Sequence, residues 1–74
     1  MIDIRLILGI ALKSLSCKLI IAHSHPSGNL KPSHSDYFAT DRLKEAAQLM
    51  DIRLVDHLII TSDGFYSFAD EGEI

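Results

Sequence analysis

The chain has 74 residues, 47% of them apolar, with 7 Lys and Arg against 10 Asp and Glu for a formal net charge of −3. That length allows one small domain, 1–74, with a modest core, and the apolar share points to a face meant for a partner or for a missing part of the domain. The charge, with no basic run, argues against a strong phosphate-backbone binder, and the lone Cys17 excludes an internal disulfide and fits a reducing, cytoplasmic compartment.

Ile4, Ile7, Leu8, Ala11, Leu12 and Leu15 follow the i, i+3, i+4 spacing of one helical face, which predicts a helix over 3–15. Leu6 and Ile10 widen the stripe, so this helix is expected to be buried on more than one side. Gly9 weakens it by about 1 kcal/mol relative to Ala and would admit a close neighbour. The apolar run Leu6 to Leu12 is too short to span a bilayer, and Asp3 precedes it, so helical periodicity explains it better than a targeting segment. Cys17, at the helix-to-strand junction, reads as a small buried hydrophobe.

Lys18 to His23, with Leu19-Ile20-Ile21-Ala22 at its centre, reads as a strand covered on both faces. It ends on His23, and the stretch His23 to Asp36 concentrates the chain's chemistry. In extended chain, side chains two apart point the same way, so His23 and His25 can reach one ion. Pro26 and Gly28 turn the chain, and Pro32 ends the loop before the next helix. Asp36 projects from the first turn of that helix back toward the imidazoles. Imidazole nitrogen and carboxylate oxygen are zinc ligands, and a catalytic zinc takes three protein ligands and leaves one position open. The competing explanation is local. Ser33-x-x-Asp36 is close to a capping box, and an acid in a first helical turn is stabilised by the helix dipole whatever its function. His34 adjoins the site and is expected to be exposed.

The second helix is expected over 35–50, with Ala39, Leu43, Ala46 and Met50 on the inner face and Asp41, Lys44, Glu45 and Gln48 solvated. Val55 to Thr61 reads as the second strand. His57 within it is expected to be packed and hydrogen-bonded rather than a ligand. Ser62-Asp63-Gly64 is a hairpin turn into a third strand, Phe65 to Phe68, and Asp70 to Ile74 is expected to fray. The result is an α/β fold of order α-β-α-β-β: a small mixed three-stranded sheet packed with two helices. The strand–helix–strand unit should form a crossover with parallel strands, and the last two strands should pair antiparallel.

His-Ser-His-Pro, six residues, Ser, two residues, Asp resembles the JAMM metal motif of the JAB/MPN family. The wider run, with His25-Pro26-Ser27-Gly28, Pro32-Ser33, Arg42-Leu43-Lys44-Glu45-Ala46 and Asp56-His57-Leu58-Ile59-Ile60, is similar to the bacterial RadC proteins within it. The likeness runs from about Ala11 to Phe68. It implies a partial JAB/MPN, cytidine-deaminase-like fold, with zinc on the residues matching His23, His25 and Asp36. It also implies that the residue matching Ser33 stabilises an oxyanion. The family's general base is a glutamate on a strand well upstream of the histidines. The only acid before His23 is Asp3, so the reading is a domain lacking the family's N-terminal hairpin and that glutamate.

Two kinds of function follow. One is a zinc hydrolase of the JAMM peptidase or isopeptidase type, weak or inactive as this chain because its base is absent. The other is a non-catalytic metal-binding or interaction module of a RadC-like, DNA-repair-associated protein. An open sheet edge and an apolar first helix also lead to the expectation of a homodimer through residues 3–15, the edge, or both.

Overall fold

The computed structural model describes residues 3–14, 17–25 and 27–74. Five elements follow one another: α1 (Ile4–Lys13), β1 (Lys18–Ser24), α2 (His34–Leu49), β2 (Arg53–Thr61) and β3 (Gly64–Ser67). The sheet order is β1-β2-β3, with β1 and β2 parallel and β2 and β3 antiparallel. The expected α/β architecture and its mixed sheet are therefore present. The placing of Leu15 on the first helix and the part of Pro26 in the loop turn lie outside the described residues.

Both helices lie on the same face of the sheet. Leu8 and Ala11 of α1 and Leu43 and Ala47 of α2 form one core cluster with Ile52 and Leu54, and Leu19 and Ile21 of β1 pack against it. β1 is consequently not covered on both faces as its apolar run suggested. Leu19, Ile21 and His23 are half-buried, whereas Lys18, Ile20, Ala22 and Ser24 are exposed. The same one-sided packing corrects the reading of α1. Leu6, at 61% exposure, and Ile10, at 57%, face away from the core. A Cβ placed on Gly9 would meet nothing within 4 Å, so no close neighbour needs that glycine.

α2 is entered and left by specific caps. Ser33 is its N-cap, and the helix ends at Met50 with Asp51 at φ 56°. The amide of Ile52 donates to the Ala47 carbonyl (2.8 Å) and that of Asp51 to the Gln48 carbonyl (3.1 Å). This is the Schellman pattern, which turns the chain through a left-handed residue and here delivers the buried Ile52 to the head of β2. The inner face of α2 is Thr40, Leu43 and Ala47, with the expected Ala39, Ala46 and Met50 half-buried at its margins.

Cys17 is exposed, contrary to its reading as a buried hydrophobe. Its carbonyl accepts from the Arg53 amide (2.9 Å), which puts it at the rim of the parallel pairing rather than above the core. The tail is likewise ordered. The Glu73 amide donates to the Phe68 carbonyl (2.8 Å), the Tyr66 hydroxyl donates to the Glu73 carboxylate, and Ile74 packs on the core. Asp70 and Glu71 are exposed, whereas Glu73 is half-buried against Tyr66, and the backbone follows the end of β3.

Candidate metal centre

His23 sits near the C-terminal end of β1, and backbone pairing continues one residue further, where the His25 amide donates to the Ile60 carbonyl (3.2 Å). The chain is thus still extended across His23-Ser24-His25, and alternation puts both imidazoles on the helix-covered face. The loop then closes on itself. The Gly28 amide donates to the His25 carbonyl (3.0 Å), with Gly28 at φ 79°, and the Asn29 side chain accepts from the Lys31 amide (2.9 Å). Pro32 is buried and leads into the Ser33 cap.

The cap orients Asp36. Its Oδ2 accepts from the Ser33 amide (2.8 Å), and its own amide donates to Ser33 Oγ (3.1 Å). This is the reciprocal capping box, and it aims the carboxylate at the histidines. The Nε2 atoms of His23 and His25 are 3.0 Å apart. His23 Nε2 lies 3.4 Å from Asp36 Oδ1, and His25 Nε2 lies 3.3 Å from Oδ2. The expected triad is therefore assembled, and it is the group of potential metal ligands found among the described residues. His34, the first residue of α2, is exposed and stands outside it.

These separations suit zinc. With bonds of about 2.0–2.1 Å, the edge of a tetrahedron of ligands is about 3.3 Å. One of the two imidazoles has its tautomer settled by a local contact. His25 Nδ1 lies 2.8 Å from the Asn29 carbonyl, which can only accept, so Nδ1 carries the proton and Nε2 presents a lone pair. Burial pushes the Asp36 carboxyl up, but the Ser33 amide and hydroxyl and the two histidines offset this, so it lies below its ordinary value and stays ionised.

Behind the triad lies a buried arrangement that sequence reasoning only half found. His57 is 1% exposed and hydrogen-bonded, as expected. Its partners, however, tie it to the site: Nε2 lies 2.7 Å from His23 Nδ1 and Nδ1 lies 2.6 Å from Thr40 Oγ1. A β-bulge places it there. Leu19 pairs with Leu54 but Ile20 pairs with Asp56, so Val55 is skipped. Without that extra residue, alternation from the buried Leu54 would turn Asp56 inward and His57 out. The Asp56 carboxylate instead secures the bulge, accepting from the His57 amide (2.7 Å), Ser67 Oγ (2.6 Å) and the Ala69 amide (3.0 Å). Phe68 stacks on the other side of the ring, with centroids 4.6 Å apart. Burial, then the neighbouring His23, lower the His57 pKa to about 4, so its ring is neutral near pH 7.

A groove of about 560 Å³ opens beside the site between the start of α1 and α2, with Leu6, Ile7 and Ala39 on its walls and His23, Asp36 and His57 at the polar end.

A family model described as a RadC-like JAB domain matches residues 1–73. The chain is 51% identical over 71 residues to a UPF0758 protein of Porphyromonas gingivalis, covering 95% of this chain and 31% of that one. It is 44% identical over 71 residues to a UPF0758 protein of Flavobacterium johnsoniae, with coverage of 96% and 31%. A UPF0758 protein of Thermotoga maritima is 41% identical over 64 residues, with coverage of 86% and 29%. The chain thus spans about a third of the length of the curated relatives it matches.

Proposed function

The chain belongs to the RadC-like JAB domain family, and from that premise we propose that it is a zinc-binding domain of the JAMM metallohydrolase type, acting on a peptide or isopeptide bond. The observation that carries this reading is the convergence of His23 Nε2, His25 Nε2 and an Asp36 carboxylate oxygen at separations of 3.0 to 3.4 Å. Three electron-pair donors so close together call for a cation, and two imidazoles with a carboxylate form a zinc set with a fourth position open.

A zinc ion held by these residues would supply Lewis acidity and a water acidic enough to ionise near neutrality. The chain's own residues would do the rest. The Ser33 amide fixes Asp36, and the Ser33 hydroxyl, which accepts from the Asp36 amide and helps hold the Asp36 carboxyl ionised, would turn its single proton from that carboxylate to a developing oxyanion. The groove between α1 and α2 gives substrate an approach with apolar walls. General-base help is worth about 10² to 10⁴ in rate. The only acid N-terminal to His23 is Asp3, whose carboxylate accepts from the Leu6 amide (3.1 Å) as the cap of α1. Weak turnover, or none, is therefore expected from these residues alone.

A second reading, a non-catalytic metal-binding or interaction module of a DNA-repair-associated protein, draws support from the outward-facing Leu6, Ile10, Leu12 and Ile20. Those side chains also support self-association as a homodimer. A cytoplasmic setting is in keeping with the free Cys17, and no helix among the described residues is long and apolar enough to cross a membrane.

Metal analysis of the purified chain after dialysis against zinc tests the first reading. About one zinc per chain is expected, and its loss in His25→Ala. Equal zinc content in parent and variant would sink the assignment. Cleavage of an isopeptide substrate by a longer form of the protein, absent in its Asp36→Ala variant, would separate the hydrolase from the module.

A further inference from the structure

We propose that Thr40 and His57 are positioning residues that set the tautomer of His23, so that its Nε2 lone pair is the one turned into the metal centre. The inference rests on the reading of His23, His25 and Asp36 as a metal site and adds to it a side-chain chain that the ligand motif does not contain.

The direction of the chain follows from counting protons. Thr40 Oγ1 lies 2.7 Å from the carbonyl oxygen of Asp36. Two oxygens at that distance need a proton between them, and a carbonyl has none to give. The hydroxyl's single proton is therefore committed to Asp36, and toward His57 Nδ1, 2.6 Å away, Thr40 Oγ1 can only accept. His57 Nδ1 thus carries the ring proton. On a neutral imidazole the other nitrogen, Nε2, is then an acceptor. It faces His23 Nδ1 at 2.7 Å, so the proton of that contact belongs to His23. His23 Nε2 is left with its lone pair, 3.0 Å from His25 Nε2 and 3.4 Å from Asp36 Oδ1.

One turn of α2 therefore does two jobs. Asp36 is a ligand, and Thr40, four residues on, anchors the tautomer of a different ligand through His57. Reversing any link would put a proton on His23 Nε2, where the ion belongs. Partners that orient a ligating imidazole typically contribute 10- to 100-fold in metal affinity.

The test uses the full chain, ¹⁵N-labelled, with zinc as the probe. In the metal-free parent, imidazole ¹⁵N spectra should show His23 protonated at Nδ1, with a through-hydrogen-bond coupling from that nitrogen to His57 Nε2. Thr40→Val removes the acceptor at nearly constant shape and should weaken zinc binding about 10- to 100-fold, with a proton appearing on His23 Nε2. Thr40→Ser keeps the hydroxyl and should behave as the parent. His57→Phe should act like Thr40→Val. His57→Gln, whose amide can donate to Thr40 and accept from His23, should recover most of the affinity. Should His57→Phe fail to fold, the Thr40 pair decides. Parent-like affinity and an unchanged His23 tautomer in Thr40→Val would overturn the inference, as would Nε2 protonation of His23 in the parent. If the parent takes up no zinc, the metal reading fails, and the tautomer of His23 decides this inference by itself.

Discussion

The two histidines of the site are held by different means. His25 is fixed from within its own loop, its Nδ1 facing the Asn29 carbonyl only four residues away. His23 is fixed from across the fold, through His57 on the neighbouring strand and Thr40 on the helix above. A backbone carbonyl survives almost any substitution. A chain of side chains survives none of its deletions, and it depends on a bulge and on helix-to-sheet packing. The loop half should therefore tolerate mutation and the interior half should not. Metal affinity should report on tertiary structure through His23 much more than through His25.

The largest effect should come from removing a ligand outright. Asp36→Ala leaves two imidazoles without their carboxylate and breaks the capping box, so zinc retention after dialysis should vanish, as metal analysis would show. One step smaller is the contrast between the two supports. Thr40→Val should weaken zinc binding about 10- to 100-fold by calorimetric titration, whereas Asn29→Ala, which keeps the carbonyl and loses only the contact to the Lys31 amide, should change it little. Comparable losses in both variants would erase the distinction between the halves.

Acid provides a third way to probe the interior half. The folded His57 pKa of about 4 lies below the ordinary 6.5. Below pH 6.5 the unfolded chain takes up a proton that the folded chain refuses, so stability should fall as pH drops from about 6.5 to about 4. The Asp36 carboxyl, lowered from 3.8, should add a further loss only below that pH. Urea unfolding midpoints across this range would show it, and a flat profile above pH 4.5 would mean that His57 is not held neutral. Smaller again, Ser33→Ala should cost about 0.5–2 kcal/mol of stability through its lost N-cap contact, read from the same unfolding curves.

The sequence exposed the loop half and hid the interior half for a physical reason. His23, His25 and Asp36 could be found because their geometry is local: period-two alternation aligns the histidines, and a helix N-cap three residues earlier aims the aspartate. Thr40 and His57 join the site only through pairing register. The bulge at Val55 switches which side chains of β2 face inward, and a strand begun at Val55 rather than Arg53 does not reveal the switch. A run of Leu54, His57 and Ile59 inward, with a step of three and then a step of two between inward positions, is the trace it leaves in the chain. The exposed faces of α1 and β1 are hidden for a related cause. Periodicity says that a side chain is apolar, but whether anything covers it depends on the layer on the other side. The order of the tail is hidden because its acidic composition conceals backbone contacts to the end of β3.

Those open faces give the smallest and most conditional effect. Leu6 and Ile10 of α1 and Ile20 of β1 are exposed, and β1 is an edge strand of the sheet among the described residues. Pairing through these surfaces would remove apolar area from water at about 25 cal/mol per Å² against the ordering costs of association. Sedimentation at micromolar concentration should show a dimer that Ile10→Lys shifts toward monomer. A monomer in both would remove the homodimer from the account and leave the metal centre untouched.

In the metal centre as proposed, one ion is held by two imidazoles and a carboxylate. X-ray absorption at the zinc edge, on the chain loaded with one equivalent, separates this ligand set from any other. The expected spectrum has a first shell of nitrogen and oxygen only, at about 2.0–2.1 Å, with the outer-shell scattering of two imidazole rings. A sulfur shell at about 2.3 Å, which would bring in the exposed Cys17, or a shell of water without imidazole scattering, would contradict it.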